Sequence, residues 1–162
     1  MTAIMPGLST RPISTTQQQL ARVVSQWTSQ QGIQDSAIPG MELIRSDQPT
    51  SCASAVYEPS LCFVIQGTKT IEFGDRRIEY SPLTYLASSV HLPVLGRVER
   101  ATPELPYLAA KLTVPPEEVA DLLLELGDKA PRYDVADLCT EVECGLCMSP
   151  MDEAMQDSLY RL

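Results

Sequence analysis

Apolar positions change their spacing along the chain, and each change marks a different kind of element. Between residues 14 and 29, Leu20, Val23, Val24 and Trp27 recur at three- and four-residue intervals, which sets them on one stripe of a helix. Ser14, Thr15 or Thr16 can cap its start, and Gly32 follows its end. The stripe is narrow, so this helix packs by one face. Residues 1–13 carry Pro6, Gly7 and Pro12 with no periodicity and read as a loose arm.

From Ile38 onward the period shortens to two. Eight apolar or alternating segments follow, at 41–45, 52–57, 61–66, 69–73, 76–80, 84–88, 94–99 and 107–114. Their spacing of ~8–12 residues is that of an all-β sandwich or barrel. Gln66-Gly67-Thr68 and Phe73-Gly74-Asp75-Arg76 place glycine where a tight hairpin needs positive φ. Pro59, Pro82, Pro93, Pro103 and Pro106 fall between segments, where a missing N–H breaks no ladder. Ile71 and Phe73 alternate with Thr70 and Glu72, and Ile78 and Tyr80 with Arg77 and Glu79, which indicates antiparallel pairing with one face on a core. Residues 61–65, Leu-Cys-Phe-Val-Ile, are apolar throughout, as a strand covered on both faces must be.

The helical period returns at Pro115-Pro116-Glu117-Glu118, with proline in the first turn and acids at the positive end, and Gly127 stops it. An irregular polar stretch to about Thr140 precedes a short strand at 142–148. Ser149-Pro150-Met151-Asp152 reads as a serine cap, a first-turn proline and an acid three residues after the cap. The helix it opens carries Met151, Met155, Leu159 and Leu162 on one stripe. The stripe is still running at the last residue, which implies a piece of a longer polypeptide. The expected organisation is an arm at 1–13 and a single domain at 14–162. Within it lie a helix at about 14–30, a β body at about 38–114 and a helical or irregular part at 115–162.

Charge is unevenly placed. The net charge is −9, yet residues 1–114 hold nine acids and nine bases, while residues 115–162 hold twelve acids and three bases. No basic face exists to neutralise phosphates, so nucleic-acid binding by these residues alone is not expected. No apolar run approaches the ~20 residues of a membrane helix, and the first residues lack a signal-peptide layout. A cytoplasmic protein that does not enter a membrane is the expectation.

Catalytic chemistry finds little to work with. His91 is the single histidine, too few for a two-His-one-carboxylate or His-rich zinc site. There is no G-x-S-x-G elbow and no glycine-rich phosphate loop. Five cysteines, an odd number, argue against a stapled secreted fold. Cys139, Cys144 and Cys147 form a C-x4-C-x2-C pattern seen in plant-type ferredoxins, but no fourth cysteine follows. Thiols acting as small buried hydrophobes are the simpler reading, so neither a metal nor another cofactor is expected. Binding is better supported, since a small barrel can enclose one ligand. Tyr57, Phe63, Phe73, Tyr80, Tyr85 and Tyr107 lie on or near strands and serve either as core or as ligand contacts.

Several segments carry a resemblance. Residues 57–67 read Tyr-Glu-Pro-Ser-Leu-Cys-Phe-Val-Ile-Gln-Gly, followed by Phe73-Gly74-Asp75, Tyr85-Leu86-Ala87-Ser88-Ser89-Val90, Leu92-Pro93-Val94, Pro106-Tyr107-Leu108 and Gly145-Leu146-Cys147-Met148-Ser149-Pro150. Together they resemble the N-terminal domain of AraC-type transcriptional regulators. The resemblance implies a mainly β, cupin-like jelly-roll barrel or sandwich with an N-terminal helix and C-terminal helices. It implies as well that in the intact protein two helix-turn-helix motifs follow and bind DNA, motifs that these residues do not contain. It further implies binding of a small-molecule effector, homodimerisation, or both, and no enzymatic activity. No set of effector-contacting residues carries over from the family. The pocket expected from this sequence is Tyr57, Phe63, Ile65, Tyr85, His91 and Tyr107, and the expected dimer or interdomain contact is Met151, Met155 and Leu159. At His91 the family pattern commonly has an acid, which implies a different ligand polarity or a response to pH. Enzymatic cupins carry an H-x-H pair before the position of Gly67, and residues 60–64 hold no imidazole. The alternatives are a metal-dependent cupin enzyme and a redox or cluster protein built on Cys139, Cys144 and Cys147.

Overall fold

Residues 61–65 have no polar side to turn to water, so the strand holding them must lie inside a sheet with a layer on each face. The computed structural model describes residues 15–130, 141–143 and 145–162. Its elements begin with α1 (Thr15–Trp27), β1 (Gly32–Asp35), β2 (Met41–Ser46), β3 (Ala53–Tyr57) and β4 (Ser60–Gln66). β5 (Thr68–Phe73), β6 (Arg76–Tyr80), β7 (Thr84–Ser88), β8 (Leu92–Arg100) and β9 (Tyr107–Thr113) follow. Last come α2 (Pro116–Leu126), a 3₁₀ turn (Gly127–Lys129), β10 (Glu141–Glu143), β11 (Leu146–Pro150) and α3 (Glu153–Arg161).

The larger sheet has the order β1-β2-β9-β4-β7-β11-β10 and the smaller one β3-β8-β5-β6. Pairing is antiparallel and nested: β2 with β9, β3 with β8, β4 with β7, β5 with β6. One long ribbon rolled upon itself gives this pattern, which is the jelly roll. The fold is therefore a mainly β sandwich with helices at both ends of the chain, as the resemblance implies.

β4 carries both layers. Cys62 and Val64 face Ile71, Ile78, Tyr80 and Val98 of the smaller sheet. Phe63 and Ile65 face the other way, under Leu20 and Val24 of α1 and Leu159 of α3. Alternation along one strand thus fills two cores.

Several expectations change in detail. Gly74 opens the β5–β6 turn at φ 58, between Phe73 and its partner Arg76, the first central position of a II′ turn. Gly67 has the expected positive φ of 81 but turns no hairpin, because β4 belongs to one sheet and β5 to the other. A Cβ there would lie 2.7 Å from the Arg100 carbonyl oxygen and 3.0 Å from the Tyr107 Cα. Glycine is needed because the chain crosses between sheets against the start of β9. β8 begins at Leu92, so Pro93 lies inside a strand, opposite Val56. β1 was not expected; four residues with an exposed pattern are too short and too polar for period two to register. The stretch 142–148 is a hairpin of β10 and β11 rather than one strand.

The helices differ too. In α1 the buried stripe is Gln17, Leu20 and Val24, while Trp27 is 72% exposed. Gln17 donates from Nε2 to the Ile65 carbonyl at 3.1 Å, which accounts for an amide in that stripe. α3 starts later than its sequence signal suggests. Strand pairing claims Ser149 and Pro150, opposite Tyr85 and Thr84, and the cap passes to Asp152, whose Oδ1 accepts from the Met155 N–H at 2.7 Å. Leu162 is exposed, and Gln156 takes the buried position. α2 ends at Gly127 as expected, but none of its residues is buried. Among the described residues no helix is long and apolar enough to cross a membrane.

Candidate functional site

Between the sheets the core contains a polar group of side chains. Cys62 comes from β4, Tyr80 from β6 and Tyr107 from β9, with Tyr57 of β3 packed against them. Each is inward by strand alternation, and each brings a polar atom into an otherwise aliphatic space. The Tyr57 and Tyr80 hydroxyls are hydrogen-bonded at 2.9 Å. Tyr107 is wholly buried, and among the described residues its hydroxyl has no hydrogen-bond partner.

Lys69 joins them from β5. It lies opposite Tyr80 on one side and Val98 on the other, two positions from Ile71, so it stands on the inward face of the smaller sheet. Its Nζ is 5.6 Å from the centroid of the Tyr57 ring, within cation–π reach. A Cβ at Gly96 would lie 3.4 Å from Lys69 Cε, so the bare backbone of β8 leaves the lysine stem its room.

Burial sets the protonation of this group. It pushes the Tyr80 and Tyr107 phenols well above their ordinary value, with Cys62 and the neighbouring tyrosines adding to the shift. It also raises the Cys62 thiol, against the pull of Lys69 and Lys111. At neutral pH the phenols and thiol are therefore uncharged hydrogen-bonding groups, with the Lys69 side chain beside them.

A second cluster stands at the end of the sandwich. Lys111 lies opposite Cys62 in the β4–β9 ladder and opposite Glu42 in the β2–β9 ladder, on the face that Ala109 turns inward. Its Nζ reaches Glu42 Oε2 at 2.9 Å and Glu58 Oε1 at 2.7 Å. Burial works to lower the Lys111 pKa, but hydrogen bonds and charges from both carboxylates outweigh it and leave it raised. The hydrogen bond from Lys111 holds the Glu58 carboxyl below its usual range, with the charges of Lys111 and, last, His91 adding to it.

The six residues read from the sequence as a pocket do not share one face. Tyr57 and Tyr107 enter the sandwich interior. Phe63, Ile65 and Tyr85 lie on the opposite face of the larger sheet, under the helices, where the Phe63 and Tyr85 rings meet at 5.9 Å between centroids. Period two divides them, since register decides the face and aromatic character does not. His91 is exposed in the β7–β8 connection. Met151 and Leu159 are buried and Met155 is half-buried, all packed with α1 and the larger sheet, so these side chains serve this chain's own core. Neither Lys69 nor Lys111 is among the six residues expected from the sequence. Lys69 was legible, because it shares parity with Ile71 and Phe73.

The cysteines divide as well. Cys62 is a buried free thiol, as expected, while Cys52 is free and exposed. Cys147 is disulfide-bonded, so it offers no thiolate to a metal in this state. Cys139 and Cys144 lie outside the described residues. Among the described residues no group of three or more His, Cys, Asp and Glu is placed to hold a metal ion. A groove of about 420 Å³ runs between β3, the β5–β6 turn and β8, lined by Val56, Glu72, Phe73 and Leu95 among others. It is open to solvent and has no buried unpaired polar group on its wall.

The model of the AraC-type transcriptional regulator N-terminus family matches residues 37–162. The chain belongs to this family. The match takes in β2 to α3, hence both sheets, the tyrosine group and the Lys111 cluster, while α1 and β1 precede it. No curated protein matches the chain at a significant level. As an AraC-type N-terminus this is a regulatory domain, from a family that is not enzymatic.

Proposed function

We propose that this AraC-type domain binds a small effector between its two sheets and relays occupancy to a DNA-binding segment elsewhere in the polypeptide. It acts as a cupin-like sensor in the cytoplasm, as a homodimer, and without catalysing a reaction. The observation that carries this reading is the Tyr107 hydroxyl. A buried hydroxyl without a partner costs about 1–3 kcal/mol, and a ligand acceptor placed beside the Tyr57–Tyr80 pair recovers that cost. Relay requires the ligand to favour one arrangement over another; equal affinity for both shifts nothing.

A thermal-shift screen of metabolites on the wild type and Tyr107→Phe tests the reading. The unliganded variant should melt at or above the wild-type temperature, because it loses an unsatisfied group. It should also lose most of the effector-induced shift. An effector whose shift is unchanged in Tyr107→Phe places the site elsewhere.

A further inference from the structure

We propose that the ligand accepted between the sheets is an anion of the carboxylate class on an apolar body, its charge received by Lys69. This rests on the interior site argued above and names its chemistry. Lys69 differs from the ion-paired cations, and also from Arg22 and Arg100, which are without an ion pair among the described residues but are exposed. Lys111 has two carboxylates, Arg45 has Asp47, Arg97 and Arg77 share Glu99, and Arg161 has Asp157. Among the described residues Lys69 has the face of Tyr57 and no carboxylate.

Its position makes this matter. Lys69 is half-buried on the face it shares with Cys62, Tyr80 and Tyr107. A partly desolvated ammonium gains from a counter-charge, and among the described residues no Asp or Glu is buried. Glu42 and Glu58 at the end of the sandwich are both engaged by Lys111. A chain of net charge −9 therefore turns toward its interior a cation that has no counter-ion among the described residues. A carboxylate matches this set: one oxygen takes the ammonium, the other accepts from a phenol such as Tyr107, and the remainder packs on Ile71, Val98 and the rings. A neutral polyol leaves Lys69 unmatched, and a cation is repelled.

Matched probes separate charge from shape: phenylacetate against phenylacetamide, and hexanoate against hexanamide, at constant ionic strength with chloride as control. Binding is followed by melting temperature and by titration calorimetry on wild type, Lys69→Met, Lys69→Arg and Tyr107→Phe. At least one acid should bind where its amide does not, with affinity falling about tenfold or more in Lys69→Met and kept in Lys69→Arg. Circular dichroism and the unliganded melt of each variant establish that it is folded. Should Lys69→Met fail to fold, Lys69→Gln takes its place. Acids and amides binding alike, both weakened in Tyr107→Phe, would overturn the anion and leave the interior site standing. Acids indifferent to both Lys69 and Tyr107 would overturn site and anion together. Silence of both acids overturns the anion, and the metabolite screen then judges the site by itself.

Discussion

Gly67 and Tyr107 meet where the chain passes from one sheet to the other. The crossing brings the Gly67 backbone against the Tyr107 ring and the Arg100 carbonyl, at a φ of 81. A side chain there faces both left-handed strain of about 1–2 kcal/mol and overlap with backbone that cannot rotate away. Gly67→Ala should lower the unfolding free energy by at least about 2 kcal/mol in urea denaturation. Gly74→Ala, with nothing within 4 Å of its Cβ, should cost less, and equal costs would refute the crowding argument.

Protonation at the end of the sandwich carries a sign. Lys111 holds the folded-state pKa of Glu58 below its ordinary value of 4.5. That contribution is fully present above pH 4.5 and is lost as pH falls through the depressed value. Stability against urea should therefore decline on the acid side, and Glu58→Gln should make that decline shallower. At the alkaline end the raised phenols of Tyr80 and Tyr107 act oppositely. The folded state keeps their protons, so stability falls as pH rises above the ordinary phenol value of 10.

At the scale of elements, competition between signals decides boundaries. Ser149-Pro150 is a sound helix start in isolation, but β7 offers those residues a ladder, and backbone pairing along five residues outweighs one side-chain cap. The helix then begins at the next side chain able to cap it, Asp152. Asp152→Ala should cost about 1 kcal/mol, and Ser149→Ala should not reproduce the loss through the helix; native-state hydrogen exchange of the first turn of α3 reads both. In α1 the same competition exchanges Trp27 for Gln17. The sheet surface beneath presents the Ile65 carbonyl, so an amide at the right turn is worth burying.

At the scale of the whole molecule, the inward-facing groups lie in one space because the ribbon is rolled and its pairings are nested. Tyr57, Lys69, Tyr80 and Tyr107 come from four strands, three in the smaller sheet and one in the larger. A ligand at the proposed site would therefore touch both layers, and β4 packs in turn against the layer under α1 and α3. The proposed homodimer belongs to this scale, and Met151 and Leu159 are already spent on intramolecular packing. Sedimentation at micromolar concentration should show two copies; a monomer would remove dimerisation from the proposed function.

The linear order of residues determined β2 to β9, most helix ends and the double coverage of β4. Those follow from period, turn residues and unbroken apolar runs, which act over a few neighbours. It also carried the family, through the segment beginning at Tyr57. Only the tertiary structure decided which strands share a sheet, that Gly67 crosses rather than folds back, and that Phe63 and Tyr107 face different cores. Such choices depend on pairing between residues far apart in the chain, and a side chain does not state its register. Lys69 joins the two levels. Its parity with Ile71 can be read from the chain, but that no carboxylate among the described residues stands opposite it is a property of the rolled ribbon alone.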